Sequence, residues 1–320
     1  MAKLRDREAD FRALIGAASD DTGLDTAFVE KDYWVTELLR SLSRELPGDQ
    51  SGTQVLFKGG TSLSKAYRII ERFSEDVDVL VRPPAGFGKA RVDRILKDLV
   101  ERAELDLGVN ASNVMSKTGV KRDVDFAYGG YYGSPIVRPG VRLEMGTRGG
   151  AQPNQVMEIR SMVADAFQSR ESDSGYEDVQ SVTMLVLAPE RTLVEKLHLL
   201  HSAASAPTSD NSIILKAARH YYDVYRLLTN PSVLDRLAEI EGGVATLAAD
   251  IHECSLAAGF PGPSEPRPVD GYGSSAAFAR SGSGHELSAT AYEAVERLVW
   301  GEFPPFSDVL NVVEDRRQVL

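Results

Sequence analysis

A single cysteine, Cys254, leaves no intrachain disulfide and no cysteine-based zinc cluster open to this chain. No apolar run reaches the roughly 18 residues that a membrane helix needs, so no membrane partner is expected. The first residues, MAKLRDREADFRAL, carry charges where a secretory signal requires an apolar stretch, and a cytoplasmic protein is the expectation. Histidine is scarce. His198 and His201 lack the His-Glu-x-x-His spacing and have no cysteine beside them, so zinc is not expected. There is no Gly-x-Ser-x-Gly elbow, no Walker loop and no Gly-x-Gly-x-x-Gly fingerprint. The net charge of −11 excludes a generally basic nucleic-acid-binding surface. A local one is still available, because residues 58–97 carry +4 and the remainder −15. With 42% hydrophobic and 26% charged residues the chain can build a globular core.

What the chain does have is concentrated between Lys58 and Asp78. An apolar run, Val55-Leu56-Phe57, leads into Gly59-Gly60; a helical pattern follows through Leu63, Ala66, Tyr67 and Ile70; then Val77, Val79 and Val81 alternate with Asp76 and Asp78 as in a strand. A strand has a side-chain period of two, so Asp76 and Asp78 share a face. Two adjacent carboxylates repel, and a hard divalent cation such as Mg²⁺ relieves that repulsion. The glycines allow close backbone approach, and the helix behind them offers N–H groups to phosphate. Gly59, Gly60 and Ser62 are therefore candidate triphosphate contacts, with Lys58 and Lys65 as weaker ones and Lys31 weaker still. Ser74, two residues before Asp76, is placed where a phosphate group would add about −2 charge beside the metal pair.

The remaining chain is organised around this unit. Helices are expected over 3–18 and from Asp25 to Leu46, the second carrying Glu30-Lys31-Asp32-Tyr33-Trp34, and over 89–106. Residues 118–148 read as a hairpin or meander. Within it Val141-Arg142-Leu143-Glu144-Met145 alternates as a strand and offers Glu144 as a third metal carboxylate. Asp123 and Asp125 repeat the Asp-x-Asp spacing without a glycine turn before them, and read as surface charges neutralised by Lys121 and Arg122. After a strand at Val182–Leu187 the pattern becomes nearly all helical: Arg191–Ser202, Ile213–Leu228, 233–258, about 288–300, and 306–316. A polar loop is expected at 203–212 and a long irregular one at 261–288. The change near residue 189 suggests two domains, 1–188 and 189–320. Arg219 and Asp223, four apart on one helix, are expected to pair.

Gly-Gly-x-Ser followed by Asp-x-Asp resembles the first motif of the nucleotidyltransferase superfamily. Together with Glu30–Trp34, Lys58–Lys65, Arg72–Asp78, Glu195-Lys196-Leu197 and Arg219–Asp223, in that order, it makes the chain similar to the AbiEii/MenT family of bacterial nucleotidyltransferase toxins. The resemblance covers about 60% of the chain, residues 30 to 223. It implies an α+β fold, with a polymerase-β-like nucleotidyltransferase lobe built on a mixed sheet and then a mostly helical C-terminal lobe. It implies transfer of a nucleotide from an NTP with one or two Mg²⁺, in relatives onto the 3′ end of tRNA, which blocks translation, and it implies a cognate antitoxin. On that basis Asp76 and Asp78 are metal-binding and catalytic, Lys196 contacts the nucleotide phosphates, and Asp223 orients Lys196 or the acceptor. Two other readings are an acceptor that is a protein or a small molecule, and a catalytically silent nucleotide-binding partner.

Overall fold

The computed structural model describes residues 2–74, 76–135, 137–170, 175–205, 211–258 and 264–320. Glu75, just before the Asp-x-Asp pair, half of the loop expected at 203–212 and the start of the one expected at 261–288 lie outside the described residues.

The chain divides into two units. The first comprises residues Met1–Ala66, Ser74–Thr147 and Asn154–Val186; the second comprises Tyr67–Phe73, Arg148–Pro153 and Leu187–Leu320.

The first unit contains helices α1 (Glu8–Thr22), α2 (Thr26–Ser43), α3 (Gly59–Lys65), α4 (Lys89–Leu107) and α5 (Met162–Gln168). Its strands are β1 (Gln54–Lys58), β2 (Asp76–Arg82), β3 (Ala111–Lys117), β4 (Lys121–Phe126), β5 (Val141–Gly146), β6 (Asn154–Ile159) and β7 (Val182–Leu187). They form one seven-stranded sheet in the order β3-β4-β5-β2-β1-β7-β6. It is mixed: β2 runs antiparallel to β1 and parallel to β5, and β4 is antiparallel to both β5 and β3. Strand β2 is therefore interior. Its Val77, Val79 and Val81 are buried, while Asp76 and Asp78 on the alternate positions are half-buried. Asp25 caps α2 by accepting from Ala27 N at 2.8 Å, as its position before the apolar stripe predicts. Helix α4 buries Val92, Ile95, Leu96 and Leu99 at the expected spacing.

Helix α3 is shorter than the pattern from Leu63 to Ile70 suggested. It ends at Lys65, and Arg68 adopts φ 54°, a left-handed conformation that a helix cannot contain. Residues 67–73 then join the second unit. There Phe73 N donates to Leu298 O at 2.8 Å and Trp300 N donates to Glu71 O at 2.9 Å. Strands β3 and β6 and helix α5 were not anticipated; β3 and β6 end the sheet and are largely exposed, so neither shows the alternation that marks a half-buried strand.

The second unit is helical: α6 (Pro189–Ser205), α7 (Asn211–Ala217), α8 (Arg219–Leu228), α9 (Pro231–Glu239), α10 (Gly243–Ala258), α11 (Ser283–Glu293) and α12 (Phe306–Asp315). Helix α6 packs against α8, α9 and α10, and an aromatic cluster of Tyr221, Tyr292 and Phe306 seals α8 against α11 and α12. Arg148–Pro153 is stitched in by Arg191, whose Nη1 donates to Gln152 O at 2.7 Å and whose Nη2 meets Asp250 at 2.5 Å. Among the described residues no helix is long and apolar enough to cross a membrane.

Candidate active site

The sheet register assembles an acidic face in the first unit. Asp78 lies opposite Glu144 on β5, and Glu144 lies opposite Asp123 on β4. In the next row Asp76 lies opposite Arg142, and Arg142 opposite Asp125. Register partners project from the same face, so these side chains share it with Lys58, the partner of Asp78 on β1. The reading of Asp123 and Asp125 as surface charges is corrected here. Asp123 is 1% exposed, on a strand flanked by β3 and β5. Neutralisation is real but involves a different arginine: Lys121 sits 2.7 Å from Asp123 and Arg142 3.0 Å from Asp125, while Arg122 turns to Asp93. Burial, with Glu144 adding to it, pushes the Asp123 carboxyl up against the pull of Lys121 and Arg142.

Gly59 closes this face on the β1 side. It has φ 77°, and a Cβ there would lie 3.0 Å from Asp78 Cγ and 3.1 Å from Asp78 Cβ, nearer still to Oδ2. Glycine is thus required twice over, by backbone conformation and by the carboxylate beside it. Thr61 ties the same turn to β2 by donating from Oγ1 to Asp76 O at 2.5 Å. Two expected phosphate contacts find other partners. Ser62 is fully buried and its hydroxyl donates to Gly59 O at 2.9 Å, so it holds the turn instead of facing a ligand. Lys65 directs its ammonium to Asp32 Oδ1 (2.5 Å), Asp32 O (3.3 Å) and Arg160 O (3.1 Å), which accounts for all three donors.

Glu30–Trp34 proves to be a hub on α2. Glu30 accepts from Tyr131 N and Tyr132 N at 3.0–3.1 Å, and burial pushes its carboxyl up despite them. Lys31 donates to Arg138 O at 3.1 Å. Asp32 also accepts from Met162 N at 2.7 Å. Tyr33 donates to Asp178 at 2.5 Å, and Trp34 stacks on Tyr128 with centroids 5.1 Å apart. Lys31 is 2% exposed and lines, with Asp76, Asp125, Arg138 and Arg142, a cavity of about 170 Å³ on the β5–β4 side of Asp76. A run of charged residues on a helix gave no hint that each would find a different distant partner.

In the second unit α6 and α8 bring together Lys196, His220 and Asp223, and residues 67–73 add Arg72. Asp223 is fully buried. The Arg72 guanidinium grips it with Nε on Oδ1 at 2.6 Å and Nη2 on Oδ2 at 2.8 Å, and Lys196 Nζ lies 2.7 Å from the same Oδ2. The partner expected four residues away, Arg219, is displaced by Arg72, 151 residues away in sequence, because Asp223 faces the core of the unit. Burial pushes Asp223 up, but Arg72 and Lys196 together outweigh it and hold the carboxyl well below the ordinary range. Burial lowers Lys196, with Asp223 opposing and Arg72 reinforcing that effect. His220 Nδ1 lies 3.3 Å from Lys196 Nζ and 3.4 Å from Asp223 Oδ2; burial and the lysine charge pull it down to about 3, so it is neutral near pH 7. Arg72 and Lys196 thus both engage the Asp223 carboxylate. His198 and His201, set aside as zinc ligands, are bonded to Ser264 and Ser275.

Among the described residues no three His, Cys, Asp or Glu side chains are arranged to hold a metal ion. Glu144, the expected third ligand, has Oε1 at 3.2 Å from Arg142 Nε. Asp76 and Asp78 still fit magnesium, which is commonly held by one or two carboxylates together with waters and substrate phosphates. The room that Gly59 leaves at the Asp78 carboxylate agrees with that fit.

A glycine turn seated on an Asp-x-Asp strand of a mixed sheet matches the nucleotidyltransferase motif read from the sequence. The chain belongs to the family described as nucleotidyl transferase AbiEii toxin, type IV toxin–antitoxin system, whose model matches residues 40–270. A solved structure similar to it is MenT4, a nucleotidyltransferase toxin from Mycobacterium tuberculosis H37Rv, at 19% identity over 96% of each chain with a TM-score of 0.49. No curated protein matches the sequence. The chain is therefore a toxin-type nucleotidyltransferase; its family uses an NTP and a divalent metal and implies a cognate antitoxin. The α+β class expected from the sequence holds.

Proposed function

We propose that this enzyme transfers a nucleoside monophosphate from an NTP, with Mg²⁺, onto the 3′ end of tRNA and so blocks translation in the cytoplasm. The observation that carries the transfer chemistry is the seating of Gly59 on Asp78, which reserves space at a carboxylate pair on an interior strand. The acceptor follows from the resemblance to AbiEii/MenT toxins. In the reaction an acceptor hydroxyl oxygen bonds to the α-phosphorus, the hydroxyl proton passes to water, the α–β phosphoanhydride bond breaks and pyrophosphate leaves. Asp76 and Asp78 would hold magnesium, which when bound would neutralise charge at the triphosphate and lower the acceptor hydroxyl's pKa. Lys196 meets the phosphates as a point charge, and Asp223 keeps it ionised and aimed. Position and charge suffice for such a transfer, with no covalent step on the protein.

The test is to incubate the protein with total tRNA and each NTP separately, with Mg²⁺ or with a chelator, and to sequence the tRNA 3′ ends. We expect 3′ extension with at least one NTP, lost with chelator. Label appearing on protein or a small molecule while every tRNA end stays unextended would overturn the acceptor assignment.

Ser74 provides a second expected outcome. It is half-buried and two residues from Asp76, so phosphorylation would set about −2 charge next to the metal carboxylates. Homogeneously Ser74-phosphorylated protein is expected to lose transfer. An undiminished rate would remove Ser74 as a regulatory position.

A further inference from the structure

Arg72 pairs with Asp223 through both carboxylate oxygens. We propose that it is a positioning residue for transfer, fixing the rotation of the Asp223 carboxylate so that Oδ2 points at Lys196 Nζ. This rests on the reading above in which Lys196 meets the nucleotide phosphates.

The geometry is that of a fork. Nε and Nη2 engage the two carboxylate oxygens at 2.6 Å and 2.8 Å, which locks the carboxylate plane to the guanidinium plane. The guanidinium is anchored in turn, with Nη1 donating to Phe73 O at 2.9 Å, and its backbone pairs with Val299 in an isolated bridge. Both side chains are at most 1% exposed, so water does not compete for either. Oδ2 is the oxygen that Lys196 shares, and among the described residues the only other polar group within hydrogen-bonding distance of Nζ is His220 Nδ1, at 3.3 Å. A lysine in place of Arg72 would keep the charge but could not hold both oxygens in one plane. A carboxylate freed to rotate would no longer hold Lys196 in one position. Nothing about the ion pair as a mere staple requires its second oxygen to be shared with a third residue.

The experiment measures single-turnover transfer by the full chain, with enzyme in excess, for wild type, Arg72→Lys, Lys196→Ala and the double variant, beside urea unfolding of each. Arg72→Lys is expected to lower the rate per folded molecule by about a hundred-fold, the cost of a misplacement near 1 Å. In the Lys196→Ala background the same change is expected to alter the residual rate by less than about three-fold, because the two residues act as one unit. Equal losses in both backgrounds would overturn the proposal. So would a wild-type rate per folded molecule in Arg72→Lys with only its unfolding midpoint lowered, the outcome for a stabilising ion pair. If Lys196→Ala itself transfers at the wild-type rate, the assignment of Lys196 fails and takes this proposal with it; failure of the proposal alone leaves Lys196→Ala impaired. Arg72→Gln, neutral and close in shape, serves the same cycle if Arg72→Lys does not fold.

Discussion

Asp223→Ala is expected to abolish nucleotide transfer and to weaken the second unit by about 3–5 kcal/mol. The stability loss follows from burial. Arg72 and Lys196 are 1% and 4% exposed and both pair with Asp223, so removing it takes a charged partner from two buried cations. The functional loss is separable from it. Asp223→Asn keeps the shape and one acceptor oxygen, and should unfold closer to wild type while transferring on the order of 10²–10³ times more slowly, the usual loss when an electrostatic partner of a reacting phosphate is misplaced. Urea unfolding and a transfer assay on the same samples decide the matter. An Asp223→Asn protein with a wild-type rate would mean that the carboxylate serves folding alone.

Gly59→Ala should do the opposite, with a small cost to stability and a large one to rate. The φ of 77° at residue 59 costs an alanine about 1–2 kcal/mol. The added methyl also occupies the space of the Asp78 carboxylate, which must swing away. A displacement near 1 Å at a catalytic group is worth about a hundred-fold in rate. Transfer within a few-fold of wild type would show that Asp78 reacts from a different rotamer, and that the glycine answers to backbone conformation only.

The Asp-x-Asp strand, the glycine turn and the class of chemistry were legible because each depends on neighbours in sequence. Alternation over Asp76–Arg82 reports burial directly, and it placed Asp76 and Asp78 on one face correctly. What could not be read depends on partners far along the chain. Asp223 and Arg219 are neighbours on a helix, yet the buried side of α8 selects Arg72 instead. Ser62 and Lys65 stand where phosphate ligands belong by spacing, but the turn uses the first and Asp32 the second. Asp123 looked like a solvated duplicate because nothing local says that β4 lies beside β5 in the interior of a sheet. Glu144 is the intermediate case: its strand and face were read correctly, while its contact with Arg142 depends on geometry within that strand.

The helical unit also takes residues 67–73 and 148–153 from the middle of the chain. This has a consequence for how the gene can be divided. A C-terminal fragment beginning at Leu187 would hold Lys196 and Asp223 but lack Arg72, and its Arg191 would lack the backbone of Gln152. No single cut yields both units whole. Recombination that exchanges everything beyond residue 186 would therefore import a lysine–aspartate pair whose arginine must be matched by the recipient's own residues 67–73. Compatibility at that segment, more than overall similarity, should decide which natural chimeras of such toxins remain folded.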